Sequence, residues 1–319
     1  MMIPSPRLGH DRTWYWRGWH IRYTYFRPLS PEPNLTPLLL VHGFGASLGH
    51  WRHNFGSWSQ HYPVYALDLL GFGRSQKAAA PYTPLFFAEL LADFWQTFLQ
   101  RPTILVGNSL GSVISLITAH RYPDRVKGLV LVNLPDASVL SATLPAADPP
   151  AHPPMSWAKR WVKYGLTAIF TAPWVINPLL AIVRSPVVLY PALKNAYADP
   201  RWVDEELKAL IREPALEPHA ALALRCLTRT LGDVAPTDRA RSILPTLQTP
   251  LLLLWGKNDR LVPPFLAARC AALNPRLQLV ELDQAGHCPQ DECSDRVNGI
   301  VLDWINQTFS VTPVPSLHF

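Results

Sequence analysis

Short runs of branched apolar residues recur along the chain, each of them too short to form a helix of its own. They lie at residues 38–41, 64–67, 103–106, 128–132, 251–255 and 277–282. Stretches of helical length, such as residues 84–99 and 110–121, separate most of them. Buried strands that alternate with helices are typical of a parallel sheet whose two faces are both covered. The pattern therefore predicts an α/β fold with a mostly parallel sheet.

The residues that precede these runs in the chain have a different composition. Residues 13–16 and 19–26 are rich in aromatic and β-branched side chains and are separated only by Arg17 and Gly18. Two such runs around a short glycine-containing turn are typical of a β-hairpin. We therefore expect a hairpin to precede the parallel strands.

The alternation of strands and helices is interrupted once. Over a hundred residues separate the strand that ends near Asn133 from the strand that begins near Leu251. A simple crossover between parallel strands needs far fewer residues. We predict an α/β core in residues 1–134 and 246–319, with a helical lid inserted at residues 135–245. A proline-rich connector at residues 144–154 opens the insertion, and helices are expected at residues 157–170, 186–198, 203–211 and 219–231.

Composition and charge limit the classes of protein to consider. The 319 residues are 48% hydrophobic and 16% charged, so the chain can bury a large core and is not intrinsically disordered. The net charge of +6 comes from scattered lysines and arginines. Because no basic run is present, we expect no nucleic-acid partner.

The cysteines and the longest apolar segment exclude other classes. Cys226, Cys270, Cys288 and Cys293 form no C-x-x-C pair, so we expect neither a disulfide framework nor a metal site. The N-terminus lacks the apolar region of a signal peptide. Residues 174–193 are interrupted by Asn177, Arg184 and three prolines, which makes a transmembrane helix unexpected there.

The strongest chemical signal is the sequence G-N-S-L-G at residues 107–111, which lies between a predicted strand and a predicted helix. In a G-x-S-x-G arrangement the glycines allow a sharp turn that exposes the serine hydroxyl at the carboxyl end of the sheet. Ligands of open α/β sheets bind at that end. We therefore predict that Ser109 is a nucleophile.

A serine hydroxyl needs an adjacent base, and chain order selects one among the eleven histidines. His287 follows the last predicted strand, whereas His42 precedes the serine in a glycine-bearing turn, so His287 is the predicted base. The acid of such triads follows a strand between the serine and the histidine. Asp259 satisfies this order, and Asp136, after the strand at residues 128–132, is its rival.

Acyl transfer also requires donors for the oxyanion of the tetrahedral intermediate. The backbone N–H of Leu110 lies at the start of the helix that follows the nucleophile. The backbone N–H of Phe44 lies in the turn after the strand at residues 38–41. These two groups are the predicted oxyanion hole.

Several stretches resemble the α/β-hydrolase superfamily over almost the whole chain, from the hairpin to about Phe309. Within that superfamily, residues 42–52, 64–73, 102–112 and 286–291 are similar to the chlorophyll dephytylases. The related pheophytinases share the G-N-S-L-G and G-H-C-P features and a segment similar to A-Y-A-D at residues 196–199. The resemblance implies an α/β-hydrolase fold and hydrolysis of the phytyl ester of chlorophyll, with pheophytin as a further substrate.

The resemblance also has implications for the catalytic residues and the surroundings of the protein. The nucleophile, acid and base of the family fall on Ser109, Asp259 and His287. The reaction requires water and no cofactor. A photosynthetic source is implied, with the protein in the cytoplasm or bound peripherally to the thylakoid membrane or its pigment proteins.

Phytol is a long branched hydrocarbon, and its burial would contribute on the order of 10 kcal/mol at about 0.8 kcal/mol per CH₂. An enzyme for this substrate needs an extended apolar groove, and residues 174–190 of the insertion are apolar and broken by prolines. We expect this segment to line a lipid-like cavity or to touch a membrane. The candidate binding residues are Trp174, Ile176, Leu179, Leu180, Ile182, Val187, Leu189 and Tyr190.

Other functions stay open at this point. A general lipase or carboxylesterase with an apolar lid would carry the same residues, and so would a C–C bond hydrolase that uses serine. A catalytically inactive pigment- or lipid-binding protein on the same scaffold is a third alternative. Haloalkane dehalogenases and epoxide hydrolases are excluded because they need an aspartate at the position of Ser109.

Overall fold

A computed structural model describes residues 9, 11–28, 35–141 and 185–309. Within these residues, eight strands form one sheet in the order β1-β2-β4-β3-β5-β6-β7-β8. The strands are β1 (Arg12–Trp16), β2 (Trp19–Phe26), β3 (Leu38–Val41), β4 (Val64–Leu67), β5 (Thr103–Asn108), β6 (Val126–Val132), β7 (Leu251–Gly256) and β8 (Leu277–Leu282). β1 pairs antiparallel with β2, and β2 with β4, while β3 to β8 pair in parallel. The predicted hairpin and the mostly parallel sheet are both confirmed.

Helices cover both faces of this sheet. Those in the described residues are α1 (Phe55–Trp58), α2 (Pro84–Phe94), α3 (Leu110–Arg121), α4 (Pro186–Lys194), α5 (Glu205–Leu216), α6 (Ala220–Thr230), α7 (Ala240–Ile243), α8 (Phe265–Leu273), α9 (Pro289–Glu292) and α10 (Ser294–Phe309). Short 3₁₀ turns occur at Leu48–Trp51, Pro123–Arg125, Ala137–Ser141, Pro200–Trp202, Pro236–Asp238 and Leu244–Thr246. In the described ranges, none of the helices has the length and hydropathy to cross a membrane.

The central strands β3, β5 and β7 are mostly apolar because both of their faces pack against helices. Successive residues of a strand point to opposite faces. Leu39 and Leu105 pack into one cluster with residues of α2, α3 and α8. Leu40 and Val106 pack into a second cluster with residues of α1 and α10. All residues of β3, β5 and β7 are buried, which explains why these strands show no alternation of polar and apolar positions.

Three predicted helices have bounds that differ from the structure. The helix expected at residues 84–99 ends at Phe94 and continues as a π-helix at Trp95–Leu99. The helix expected at residues 203–211 starts after Asp204, whose side chain accepts from the N–H of Leu207, and it runs on to Leu216. The helix expected at residues 186–198 ends at Lys194, because the following residues turn towards the loop after β8.

The described part of the insertion consists of helices between β6 and β7. The helix expected at residues 219–231 is present as α6, with bounds that differ by one residue at each end. The helix expected at residues 157–170 lies outside the described residues, as does the connector at residues 144–154. The boundaries of the insertion therefore stay a prediction.

Candidate active site

Ser109 lies in a turn that only glycine-containing sequences can form. It is the single residue between β5 and α3, and its backbone is strained, with φ 53° and ψ −117°. A Cβ at Gly107 would lie 2.3 Å from the carbonyl oxygen of Gly111, and one at Gly111 would lie 2.1 Å from that of Val41. The two glycines of the motif therefore allow the strand, the serine and the helix to approach this closely.

His287 and Asp259 form a buried pair on neighbouring loops. Asp259 lies in the loop that follows β7, and His287 lies in the loop that follows β8. The Nδ1 of His287 is 2.8 Å from Oδ2 of Asp259, where its N–H donates to the carboxylate. Backbone N–H groups of Leu261 and Val262 donate to Oδ1 at 2.8 and 2.9 Å. These bonds fix the carboxylate and thereby the plane of the imidazole.

Contacts between loops bring Ser109 and His287 to the same edge of the sheet. The side-chain amide of Asn108 donates to the carbonyl oxygen of His287 at 3.1 Å. A Cβ at Gly43 would lie 3.3 Å from the Cβ of Ser109, so the loop after β3 also borders the serine. Within the described residues, no hydrogen bond joins the Ser109 hydroxyl to the imidazole. Such bonds often tighten only when substrate binds.

The rival acid, Asp136, has other partners. Its Oδ1 accepts from the N–H of Ser138 at 2.8 Å, and its Oδ2 accepts from the N–H of Ala240 at 2.6 Å. Asp136 therefore holds the start of α7 against the turn after β6. The geometry supports Asp259 as the partner of His287.

Asn133 is a residue of this site that the sequence analysis did not select. It follows β6, is fully buried and has a left-handed backbone, with φ 52°. Its side-chain amide donates to Oδ2 of Asp259 at 2.5 Å and lies 3.3 Å from the carbonyl oxygen of Gly286. A polar residue directly after an apolar strand, at the carboxyl edge of the sheet, was the signal that could have revealed it.

The two predicted oxyanion donors border the serine. Leu110 is the first residue of α3, where backbone N–H groups have no partner within the helix. Phe44 lies in the loop after β3, and its ring packs against Phe72 and against Leu224 of α6. Helix α6 of the insertion therefore contacts the loop that carries the second donor.

His42 supports this loop. Its Nδ1 lies 2.7 Å from the carbonyl oxygen of Gly43, and its Nε2 accepts from the N–H of Leu69 at 3.0 Å. Complete burial lowers the pKa of His42, so the ring stays neutral in this position. Its contacts agree with a structural role in the turn.

The candidate binding residues of the insertion divide into two groups. Trp174, Ile176, Leu179, Leu180 and Ile182 lie outside the described residues. In α4, Val187 is 82% exposed, Leu189 is buried, and Tyr190 packs against a cluster built on Tyr197, Val203, Leu207 and Cys288. Tyr190 therefore contributes to the packing of the insertion, and a role of these three residues in substrate binding stays a prediction.

Cysteines and acidic residues form no metal centre in the described part of the chain. All four cysteines are free thiols. No group of three or more His, Cys, Asp or Glu residues within the described ranges could hold a metal ion.

Comparisons with known proteins identify similar chains. Residues 38–300 match the profile of the Alpha/beta hydrolase family. The chain is 38% identical over 245 residues to the human (Lyso)-N-acylphosphatidylethanolamine lipase, and the aligned region covers 72% of this chain and 67% of the relative. It is 27% identical over 292 residues to the uncharacterized hydrolase YugF of Bacillus subtilis, and the aligned region covers 90% of this chain and 95% of the relative. Among solved structures, a meta-cleavage product hydrolase superposes with a TM-score of 0.71 at 22% identity, covering 95% of this chain and all of the other.

Proposed function

This chain belongs to the alpha/beta hydrolase family, and from that premise we propose that it is a serine hydrolase that cleaves carboxylic esters of lipophilic compounds. The observation that carries the proposal is the pairing of His287 with Asp259 at 2.8 Å, on the edge of the sheet where Ser109 occupies its strained turn. A family member without catalysis would have no need of this arrangement. The similarity to a human lipase supports an ester substrate.

In the proposed mechanism the Ser109 hydroxyl attacks the ester carbonyl. The Nε2 of His287 takes the hydroxyl proton and then gives it to the leaving alkoxide. Asp259 holds the imidazole in the required tautomer and stabilises it when it is protonated. The N–H groups of Phe44 and Leu110 stabilise the oxyanion, and loss of one such donor typically lowers kcat by about 10²–10³.

The second half of the reaction hydrolyses the acyl-enzyme. His287 removes a proton from water, the resulting hydroxide attacks the acyl carbon, and the proton passes to the departing Ser109 oxygen. The products are a carboxylic acid and an alcohol. The chain's own residues perform each step.

The apolar side chains around Phe44, in the loop after β3, support a lipophilic substrate. The ring of Phe44 is in contact with Phe72, at a centroid distance of 5.4 Å, and with Leu224 of α6. An apolar acyl or alkyl chain that enters beside Phe44 would be transferred from water to this environment. The proposal therefore extends to esters with long hydrocarbon groups.

A narrower candidate is the phytyl ester of chlorophyll or pheophytin. Two segments that resemble the pigment-hydrolysing families are in direct contact: the N–H of His287 donates to the carbonyl oxygen of Ala196 at 2.6 Å. Access to such pigments would require peripheral contact with a pigment-containing membrane or its proteins. The curated relatives support the broader ester hydrolase more directly, so the pigment is the second candidate.

One experiment tests both candidates. Purified protein is incubated separately with p-nitrophenyl butyrate, monoacylglycerol, a lysophospholipid, chlorophyll a, chlorophyll b and pheophytin a, and the products are separated by chromatography. We expect ester hydrolysis that is abolished in Ser109→Ala and retained in Ser115→Ala, where Ser115 is a buried serine of the helix that follows Ser109. Hydrolysis of acyl esters without release of phytol would exclude the pigment. Absence of hydrolysis with every ester would overturn the proposed function.

A further inference from the structure

The loop that carries His287 is held by the insertion, not by the sheet alone. The backbone N–H of His287 donates to the carbonyl oxygen of Ala196 at 2.6 Å. The carboxylate of Glu292 accepts from the N–H of Gly286 at 2.6 Å and from the N–H of Ala198 at 2.7 Å. Residues 196–198 therefore hold the loop directly at His287 and, through Glu292, at Gly286.

The approach of these two segments depends on a glycine. A Cβ at Gly286 would lie 2.6 Å from the carbonyl oxygen of Ala196 and 2.7 Å from the backbone nitrogen of Ala198. Any other residue would push the insertion segment away from the loop. The contact is therefore a specific feature of this sequence and not a loose surface packing.

Tyr197 lies between these two backbone contacts and is anchored by its hydroxyl. Its side chain is buried, and its hydroxyl donates to Oδ2 of Asp291 at 2.8 Å. Nε2 of His50 lies 2.9 Å from the hydroxyl oxygen of Tyr197. Burial raises the pKa of Tyr197 well above its usual value and lowers that of His50 to about 4, so both groups are neutral. The single hydroxyl hydrogen goes to the carboxylate, and the oxygen accepts from the Nε2–H of His50.

The carboxylate that receives this hydrogen bond is itself fixed. Asp291 and Arg52 form a fully buried ion pair, with Nε of Arg52 3.0 Å from Oδ1. The Nη1 of Arg52 also donates to Asp204 at 2.8 Å and to Glu206 at 3.3 Å, which lie at the start of α5. The anchor of Tyr197 is therefore a network with a buried ion pair at its centre, and it joins the turn after β3, the insertion and helix α9.

Resting on the proposed ester hydrolase, we propose that Tyr197 is a positioning residue for His287. Its hydroxyl holds residues 196–198 on Asp291, and these residues hold the backbone of His287 at the distance that its imidazole requires. We name this assembly the clamp: residues 196–198 together with Asp291 and Glu292. The insertion thus contributes to the placement of the general base as well as to the cover of the site.

The proposal predicts a change in kcat and not in substrate affinity. Displacement of a reacting group by about 1 Å lowers the rate by as much as about 100-fold. Without its hydroxyl, the ring of Tyr197 stays in its apolar cluster, and the hydrogen bonds to Asp291 and His50 are lost. We therefore expect Tyr197→Phe to lower kcat by about tenfold, with KM changed by less than about twofold.

The test compares Tyr197→Phe with Tyr82→Phe. Tyr82 is also fully buried, and its hydroxyl donates to the carbonyl oxygen of Ala78 at 2.6 Å, in the loop that precedes α2. For each variant, kcat and KM are measured with p-nitrophenyl acetate and p-nitrophenyl palmitate, together with the unfolding midpoint in urea. A positioning residue lowers kcat by the same factor for both esters, relative to the control. A kcat equal to that of the control, or a raised KM for the long ester alone, would overturn the proposal.

A second variant keeps the test decisive if Tyr197→Phe does not fold. Glu292→Gln preserves the size of the side chain and weakens its bonds to the N–H groups of Gly286 and Ala198, so kcat should again fall for both esters. An unchanged kcat in folded Glu292→Gln would refute the clamp. Ser109→Ala distinguishes failure of the proposed function from failure of the proposed role of Tyr197. If Ser109→Ala hydrolyses esters at the wild-type rate, the proposed function is refuted. If hydrolysis is lost in Ser109→Ala but unchanged in the clamp variants, only the role of Tyr197 is refuted.

Discussion

Substitution of Asn133 tests the arrangement that orients the catalytic acid. Asn133→Gly keeps the left-handed backbone, with φ 52°, and removes the amide that donates to Asp259 at 2.5 Å. A buried hydrogen bond to a charged group contributes about 1.5–3 kcal/mol. The added backbone freedom of glycine costs about 0.5–1 kcal/mol more. We therefore expect the free energy of unfolding to fall by about 2–4 kcal/mol.

The effect on catalysis should be smaller than this loss of stability. Oδ2 of Asp259 accepts from both Asn133 and His287, so without the amide the carboxylate can rotate away from the imidazole. The hydrogen bond is present in the ground state as well as in the transition state, and only the difference affects kcat. A tenfold loss of kcat corresponds to about 1.4 kcal/mol, which is within the strength of the bond. We expect kcat to fall by about tenfold.

The assay is hydrolysis of p-nitrophenyl butyrate together with urea unfolding. Asn274→Ala is the matched control, because Asn274 is also buried and its amide donates to the carbonyl oxygen of Leu247 at 3.3 Å, in the turn after α7. The control should lose stability and keep kcat. If Asn133→Gly loses stability but keeps kcat, Asn133 is structural only, and the argument that it orients the acid is refuted.

Three further predictions concern other parts of the molecule. Asp259→Asn should lower kcat by about three orders of magnitude or more, whereas Asp136→Asn should change it by less than about twofold; the reverse result would move the acid to Asp136. Gly111→Ala places a Cβ 2.1 Å from the carbonyl oxygen of Val41 and should lower the free energy of unfolding by about 3 kcal/mol or prevent folding, as urea titration will show. Burial lowers the pKa of His50 from 6.5 to about 4, so between these pH values the unfolded chain binds more protons than the folded one. The free energy of unfolding should therefore fall by on the order of 3 kcal/mol as pH drops through this range, and His50→Gln should flatten the decrease.

The elements that form the sheet and its helices could be predicted because their patterns are local. The apolar runs at β3, β5 and β7 are short and buried on both faces, and the structure places all three in the parallel sheet. Helix α3 has the predicted bounds, residues 110–121, because the turn at Ser109 fixes its start. The end of α4 could not be predicted, since it depends on a contact with His287, far away in the chain.

Some residues of the candidate site could be predicted from the sequence, and others could not. The G-N-S-L-G motif selected Ser109, and chain order selected Asp259 and His287, which the structure brings within hydrogen-bond distance of each other. Asn133 directly follows an apolar strand and Tyr197 lies in the A-Y-A-D segment, but neither local pattern indicates which distant side chain is the partner. Their roles arise from packing between loops, and only a three-dimensional structure brings these loops together.

The insertion shows a limit of composition as a guide to function. Its apolar side chains suggested a cover for a lipid-like cavity, yet in the described residues Tyr190 and Tyr197 share a packed cluster beside Cys288. An apolar insertion must bury a core of its own before it can bind a ligand. Composition alone does not separate these two uses of the same residues.

The central claim is that Ser109 is a nucleophile activated by His287, and covalent labelling tests it most directly. The protein is incubated with a fluorophosphonate, digested, and analysed by mass spectrometry to locate the phosphonyl adduct. The account predicts one adduct, on Ser109, that forms at least about a hundredfold more slowly in His287→Ala. An adduct on another residue, or ester hydrolysis that continues while Ser109 stays unlabelled, would contradict it.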